Sequence, residues 1–158
     1  MFRELTRKNK SLPTETCIDL LKTEKRGVLS VLGDDDYPYG VPLNHWYCEA
    51  DGKLYFHSGR AGHKIDALRR HEKASFCVYN EGYRNEGEWA LNISSVIVFG
   101  RIEIVEDHEK ALEISRLLSY KFTQDEEYIQ REIKNFGSGV LVFALTPEHI
   151  CGKLVNEA

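Results

Sequence analysis

None of the four cysteines, Cys17, Cys48, Cys77 and Cys151, stands in a C-x-x-C arrangement. Structural zinc sites and dithiol redox motifs use that spacing, so the thiols read as free and at least half-buried. Long apolar runs are also missing. The longest, Val140–Leu145, and the run Val96-Ile97-Val98-Phe99 are both far short of the ~20 residues of a membrane helix. The opening MFRELTRKNK is polar with no apolar stretch behind it, so no secretory signal is expected and a cytoplasmic location is. Positive charge is not in excess: 21 Lys and Arg against 25 Asp and Glu give a net charge of -4. That balance disfavours a nucleic-acid partner, whose phosphates need clustered cations. No G-x-G-x-x-G, Walker A or G-x-S-x-G sequence occurs, which argues against Rossmann, P-loop and α/β-hydrolase chemistry. Repeats, low-complexity segments and linkers are absent as well.

The 158 residues, 42% hydrophobic and 29% charged, suit one domain with a sizeable core. Residues 1–12 read as a basic arm. Pro13-Thr14-Glu15 opens a helix with acid early and lysine late, and Gly27 is expected to stop it. Strands are predicted at Val28–Leu32, at Tyr39–Cys48 interrupted by Pro42, which calls for an edge, a bulge or a bend there, and at Leu54–His57 after the turn Ala50–Lys53. A short amphipathic helix follows over Lys64–His71. Strands come next at Ala74–Tyr79 and Ile93–Val105, with a bulge or bend at Gly100. Asp107 caps a helix to about Phe122, whose apolar face is Ala111, Ile114, Leu118 and Phe122. A second helix covers Gln124–Asn135, and two strands, Val140–Leu145 and His149–Val155, flank Thr146-Pro147. About seven antiparallel strands with few helices make the fold class mainly β with helices (α+β), a small β-barrel with helical decoration.

The segment His57–His71, HSGRAGHKIDALRRH, sets Arg60, Lys64, Arg69 and Arg70 against Asp66 alone. It runs strand, glycine loop, helix start, a place where backbone N–H groups and the helix dipole receive an anion. Ser58 adds a hydroxyl, Arg60 a fork of donors and Lys64 a point charge, while Gly59 and Gly62 allow close approach. A solvated basic loop is the other reading of the same residues. The segment Tyr37–Tyr47, YPYGVPLNHWY, places Asn44 and His45 among apolar residues on a bent strand, suited to a planar polar heterocycle or to an aromatic core strand. His45, His57 and His63 lack acid or thiol support at ligand spacing, so no metal site is expected. Tyr79–Trp89 reads as a surface loop.

These pieces together resemble the pyridoxamine 5'-phosphate oxidase-like flavoproteins, and within them the nitroimidazole-resistance-like branch. The matching stretches run in order from about Glu15 to Val155: LLKTEKRG, VLSVLG, YPYGVPLNHWY, DGKLYFHSGRAGHKIDAL, KASFCVY and SSVIVFGRIE. The resemblance implies a single domain of six-stranded antiparallel split-barrel type, a homodimer, and FMN in clefts between subunits. It implies that Gly40, Val41, Pro42, Leu43 and Asn44 line the flavin ring. His57, Ser58 and Gly62 would lie beside the ribityl chain and phosphate, His63 and Lys64 at the pair of phosphate positions, and Ser95 at a further flavin contact. Histidine at 63 departs from the arginine usual there, which makes that contact weaker or pH-sensitive. The carboxyl-terminal arginine-histidine pair of true pyridoxamine oxidases has no counterpart in LTPEHICGKLV, which puts that substrate in doubt.

The function implied is an FMN-dependent oxidoreductase or flavin reductase, drawing electrons from a donor such as NAD(P)H and acting on a small molecule, nitroaromatics among the candidates. His45 and Tyr47 are the expected substrate contacts. The alternatives are a flavin-binding protein without catalysis, and a haem-binding relative with His45 or His57 as axial ligand.

Overall fold

The computed structural model describes residues 1–158. Eleven elements follow in order: α1 (Thr14–Thr23), β1 (Arg26–Leu32), β2 (Pro38–Asn44), β3 (Trp46–Cys48), β4 (Lys53–Gly59), α2 (His63–Arg70), β5 (Lys73–Tyr79), β6 (Asn92–Ile104), α3 (His108–Ser119), α4 (Glu126–Phe136) and β7 (Val140–Asn156). The strands form one antiparallel sheet of seven, in the order β2-β1-β5-β6-β7-β4-β3. The sheet curls until β2 comes against β4, which makes a half-barrel of the split-barrel kind.

The strand count is seven rather than six. The break in the aromatic strand comes at His45, so β2 and β3 are separate, and of the outcomes expected at Pro42 the sheet edge is the one found. Pro42 is tolerated because β2 is the edge strand and its missing N–H breaks no central ladder. The last two expected strands are one continuous β7, whose ladder with β6 shifts register between Phe99 and Gly100. That shift is the bulge predicted at Gly100, and it lets one strand serve β6 along its length and β4 at its start.

Alternation sets the inside of the sheet. Leu29 and Val31, Phe76 and Val78, Val96 and Val98, Leu54 and Phe56, and Phe143 and Leu145 all point into one core. Phe56 sits at its centre, 5.0 Å from the Phe76 ring and 5.2 Å from that of Phe143. Burying each such ring stabilises the fold by about 1.5–3 kcal/mol. Gly27 does not stop α1, which ends at Thr23. It lies in β1, where a Cβ would run into the Phe76 ring and the Cys77 carbonyl, so glycine is needed for packing. α1 closes one end of the core with Cys17 and Leu21.

α3 packs Ala111 and Ile114 on the opposite side of β4 and β7, against Tyr55, Val142 and Ala144. Asp107 caps α3 by accepting the Lys110 N–H at 3.1 Å, and Asp125 caps α4 by accepting that of Tyr128 at 3.0 Å. α3 ends at Ser119, so Phe122 falls beyond it and lies exposed beneath the side chains of Lys25 and Arg26. The amino-terminal arm is docked: Ser11 bridges Lys153, the Leu12 N–H donates to the Gly152 carbonyl, and Phe2 stacks on His149. No helix is long and apolar enough to cross a membrane.

Candidate flavin site

The loop from His57 to Lys64 carries β4 out of the sheet and into α2. Gly62 holds φ 125 and ψ 169, a backbone region essentially confined to glycine. That turn aims the start of α2 outward with its first N–H groups unused by the helix. A Cβ at Gly59 or Gly62 would meet nothing within 4 Å, so the mouth of the loop is open. Lys64 is half-buried, and burial alone lowers its pKa, with no acid acting on it. The pKa of His57 is lowered as well, by burial first and then by the Lys64 charge. An anion placed here would meet a partly desolvated ammonium, a helix start and the Ser58 hydroxyl.

His63 is tied to the turn between β1 and β2. Its Nε2 accepts the Asp34 N–H at 3.1 Å, which leaves the neutral ring's proton on Nδ1. The ring stacks on Tyr39 at 4.2 Å, so the loop abuts β2 directly. Other cations of the segment have partners or positions of their own. Arg60 does not reach freely toward an anion, because its Nε donates to the Ser138 carbonyl at 3.0 Å. Arg70 pairs with Asp34 at 2.6 Å, at the far end of α2 along with Arg69. Lys64 is therefore the cation of the helix start that no protein group engages, while Arg60 keeps its charge and its two terminal nitrogens.

β2 leads away from the loop with one edge bonded to β1 and the other unpaired. Val41 and Leu43 turn into the core, so their side chains anchor the strand and leave only backbone for a ligand. Gly40 and Pro42 face out, Gly40 over Val28. The ladder sets Asn44 opposite Arg26 on β1, and Tyr79 on β5 opposite Ser95 on β6. Ser95, next to buried Val96, lies on this same outer face, so the curled sheet brings Ser95 and Asn44 to one side.

Two expected substrate contacts are corrected. His45 is wholly buried, its Nε2 donating to the Leu21 carbonyl at 2.7 Å and its ring against Phe76 at 4.8 Å. It has no surface to offer a substrate. Tyr47 pairs with Leu54 and packs on the core, on the face opposite Gly40 and Pro42. The donor set that remains, an unpaired lysine, free helix N–H groups, open glycines and an unbonded strand edge, fits a molecule with a phosphate at one end and a planar polar ring at the other. Nowhere do three His, Cys, Asp or Glu side chains gather as metal ligands would.

What sequence reasoning missed is a cleft around Arg26 and Tyr79, next to Pro42. Most of its wall is the single run Thr23–Val28, closed by Pro42 from the neighbouring β2 and by Tyr79 and Glu81 from the end of the more distant β5, and no motif marks them.

A family profile described as pyridoxamine 5'-phosphate oxidase matches residues 13–154. No curated protein sequence matches. Among solved structures, the chain is similar to a Bacteroides thetaiotaomicron protein provisionally assigned to 5-nitroimidazole antibiotic resistance, with 19% identity, a TM-score of 0.75, and 92% of this chain and 87% of that one covered. It is similar to a FAD-binding protein from Mesorhizobium loti at 24% identity and a TM-score of 0.64, covering 92% and 97%. It is also similar to a FAD- and haem-binding protein from Mycobacterium smegmatis at 21% identity and a TM-score of 0.74, covering 94% and 74%. These likenesses carry the half-barrel fold, and the profile, spanning nearly the whole sheet, carries the kinship: the chain belongs to the pyridoxamine 5'-phosphate oxidase family.

Proposed function

We propose that the chain binds FMN, with the phosphate at the start of α2 and the ring along β2 from Gly40 to Asn44, and that it acts as an FMN-dependent oxidoreductase or flavin reductase. The observation that carries this reading is Lys64. It is a partly desolvated cation without an acidic partner, set among open glycines beside an unbonded strand edge. The flavin, when bound, supplies the redox chemistry. The protein's part is to bind and orient it. Lys64, Ser58 and the helix start hold the phosphate, His63 offers Nδ1–H, and the anchored strand β2 presents Gly40, Pro42 and Asn44 to the ring. Flavin binders among proteins of similar fold support the cofactor class, and the resemblance of the loop supports FMN over FAD.

The outer face carries exposed Val28, Tyr79 and Phe99, which suits a second copy of the chain closing the cleft and a homodimer as the working form. A reduced nicotinamide as electron donor and a nitroaromatic as acceptor complete the reading.

The test is the absorbance spectrum of the purified protein, followed by FMN titration of Lys64→Ala. Loss of a charge-assisted contact is worth about 1.5–3 kcal/mol, a roughly tenfold to hundredfold weaker affinity. Unchanged affinity would place the phosphate elsewhere. Stopped-flow mixing with NADH and NADPH separates an enzyme from a flavin-binding protein: no reduction of a stoichiometric FMN complex by either favours the latter. The haem reading is weakened by His45, whose ring is committed to Leu21, and a Soret band in place of flavin absorption would restore it through His57.

A further inference from the structure

The two edges of the sheet meet in the chain at a single residue. β2 forms one edge and β3 the other, and only His45 joins them. β2 is bonded to β1 alone, so no ladder holds its open side. Gly40, Pro42 and Asn44 alternate with the core-packed Val41 and Leu43, and Asn44 is the last residue of the strand. A strand held on one side, which has to present an amide in one direction, needs a further constraint at its end. That constraint comes from outside the sheet.

His45 is engaged at both polar groups of its backbone. Its N–H donates to the Lys25 carbonyl at 3.4 Å, and its carbonyl accepts from the Lys121 ammonium at 2.8 Å. With the peptide plane on either side held, the two soft torsions of this corner residue have little freedom left. The ring adds a third anchor, on the Leu21 carbonyl. Lys121 stands in the turn between α3 and α4 and donates at the same time to the Glu24 carbonyl at 2.7 Å. The next residue, Phe122, lies beneath Lys25 and Arg26, with Nζ at 5.7 Å and the guanidinium carbon at 6.0 Å from its ring centre. Arg26 is the ladder partner of Asn44. The pair Lys121-Phe122 therefore grips both the residue that follows Asn44 and the residue across from it. A cation that served only the end of α1 would need the Glu24 carbonyl and not that of His45. Lys121 is half-buried, which shields its two bonds from competing water.

We infer that Lys121 is a positioning residue for the flavin ring: by tying the His45 carbonyl to the end of α1, it sets the direction in which Asn44 meets the ring. It acts through Asn44 and not by contact. The role at the ring rests on the reading of β2 as the flavin strand, while the hold on the strand end needs no cofactor. Its effect belongs to the ring end of the site and not to the phosphate end, where Lys64 sits on α2.

A double-mutant cycle tests it, with FMN affinity read by fluorescence titration. Lys121→Met fills similar space without donors and should weaken FMN roughly threefold to tenfold. In an Asn44→Ala background the same change should weaken FMN by less than about twofold, because the residue it positions is gone. In a Lys64→Ala background it should keep its full effect. A merely structural loss would lower affinity alike in both backgrounds. That result, or an unchanged affinity in the single variant, overturns the inference. Hydrogen exchange on the cofactor-free protein is the second readout. The segment Tyr39–Cys48 should exchange roughly fivefold faster in Lys121→Met, with His57–Lys64 unaltered. Equal exchange in Tyr39–Cys48, or protection lost throughout the chain, overturns the hold on the strand end. If Lys121→Met does not fold, Lys121→Gln, which keeps an amide donor, takes its place and should show the same pattern with smaller changes. A wild type that takes up no FMN removes the flavin reading, and exchange alone then decides whether Lys121 holds the strand end, so the two failures are distinct.

Discussion

His45 should make the fold acid-sensitive in a way one substitution can remove. Its Nε2 donates to the Leu21 carbonyl, and its Nδ1 is buried with no partner at all. Protonation would place a second N–H in that gap with nothing to accept it. Burial above all, and then the Lys121 charge, hold its pKa down at about 3 against the usual 6.5, although the bond to Leu21 works the other way. The folded-state pKa lies below the unfolded one, so the unfolded chain takes up the extra proton first as pH falls. Stability is then full above pH 6.5 and drains away toward pH 3. The slope is about 1.4 kcal/mol per pH unit, with a ceiling of about 4–5 kcal/mol over the whole window. His45→Gln keeps a neutral donor for Leu21 and cannot titrate. Urea unfolding followed by tryptophan fluorescence at pH 7.0, 5.5 and 4.5 should show the wild type losing about 2–3 kcal/mol more than the variant by pH 4.5. Parallel losses in the two proteins would refute the argument.

Two further outcomes follow from the same kind of reasoning. Lys121 donates to the Glu24 carbonyl at 2.7 Å and to the His45 carbonyl at 2.8 Å, and burial above all lowers its pKa to about 8. Because the folded pKa is depressed below the unfolded 10.5, the unfolded chain binds the extra proton between those values, and stability rises through pH 8 to 10.5. Discounted for its partial exposure, the gain is about 1–2 kcal/mol relative to Lys121→Met, read from denaturant midpoints at pH 7.5 and 10. Gly62→Ala should cost about 1–3 kcal/mol of loop strain and weaken FMN binding in a titration, while the same change at Gly59, whose φ is not positive, should be mild.

Much of this arrangement was legible from local chemistry. Asp107 announces α3, Gly100 announces the bulge, and the strand–glycine–helix pattern from His57 to Lys64 announces the turn from β4 into α2. Local chemistry has no access to packing across the sheet. Gly27 looked like a helix stop because glycine commonly is one, but its reason lies in the distant Phe76 ring. His45 looked like a ligand because it stands among aromatic residues next to Asn44. The strand breaks at that very residue, and a break resets which side chains face inward. Arg60 reads as a free fork of donors, but Ser138, far along the chain, engages its Nε and leaves only the two terminal nitrogens. The Arg26 cleft escaped notice for the same reason, because its walls meet only once β1, β2 and β5 lie side by side.

The long strand β7 has a consequence for the order in which the molecule can be made. β4, which delivers the loop proposed to hold the phosphate, is held in the sheet by β3, a strand of three residues, and by the first part of β7, with Ser58 set against Leu141. The ribosome therefore produces the loop early and its support late. Until β7 emerges, His57–Lys64 hangs from an unfinished edge, and closing so wide a gap in sequence is a slow step in folding. A nascent chain halted in α4 would have every residue proposed to touch the cofactor and no framework to hold them together.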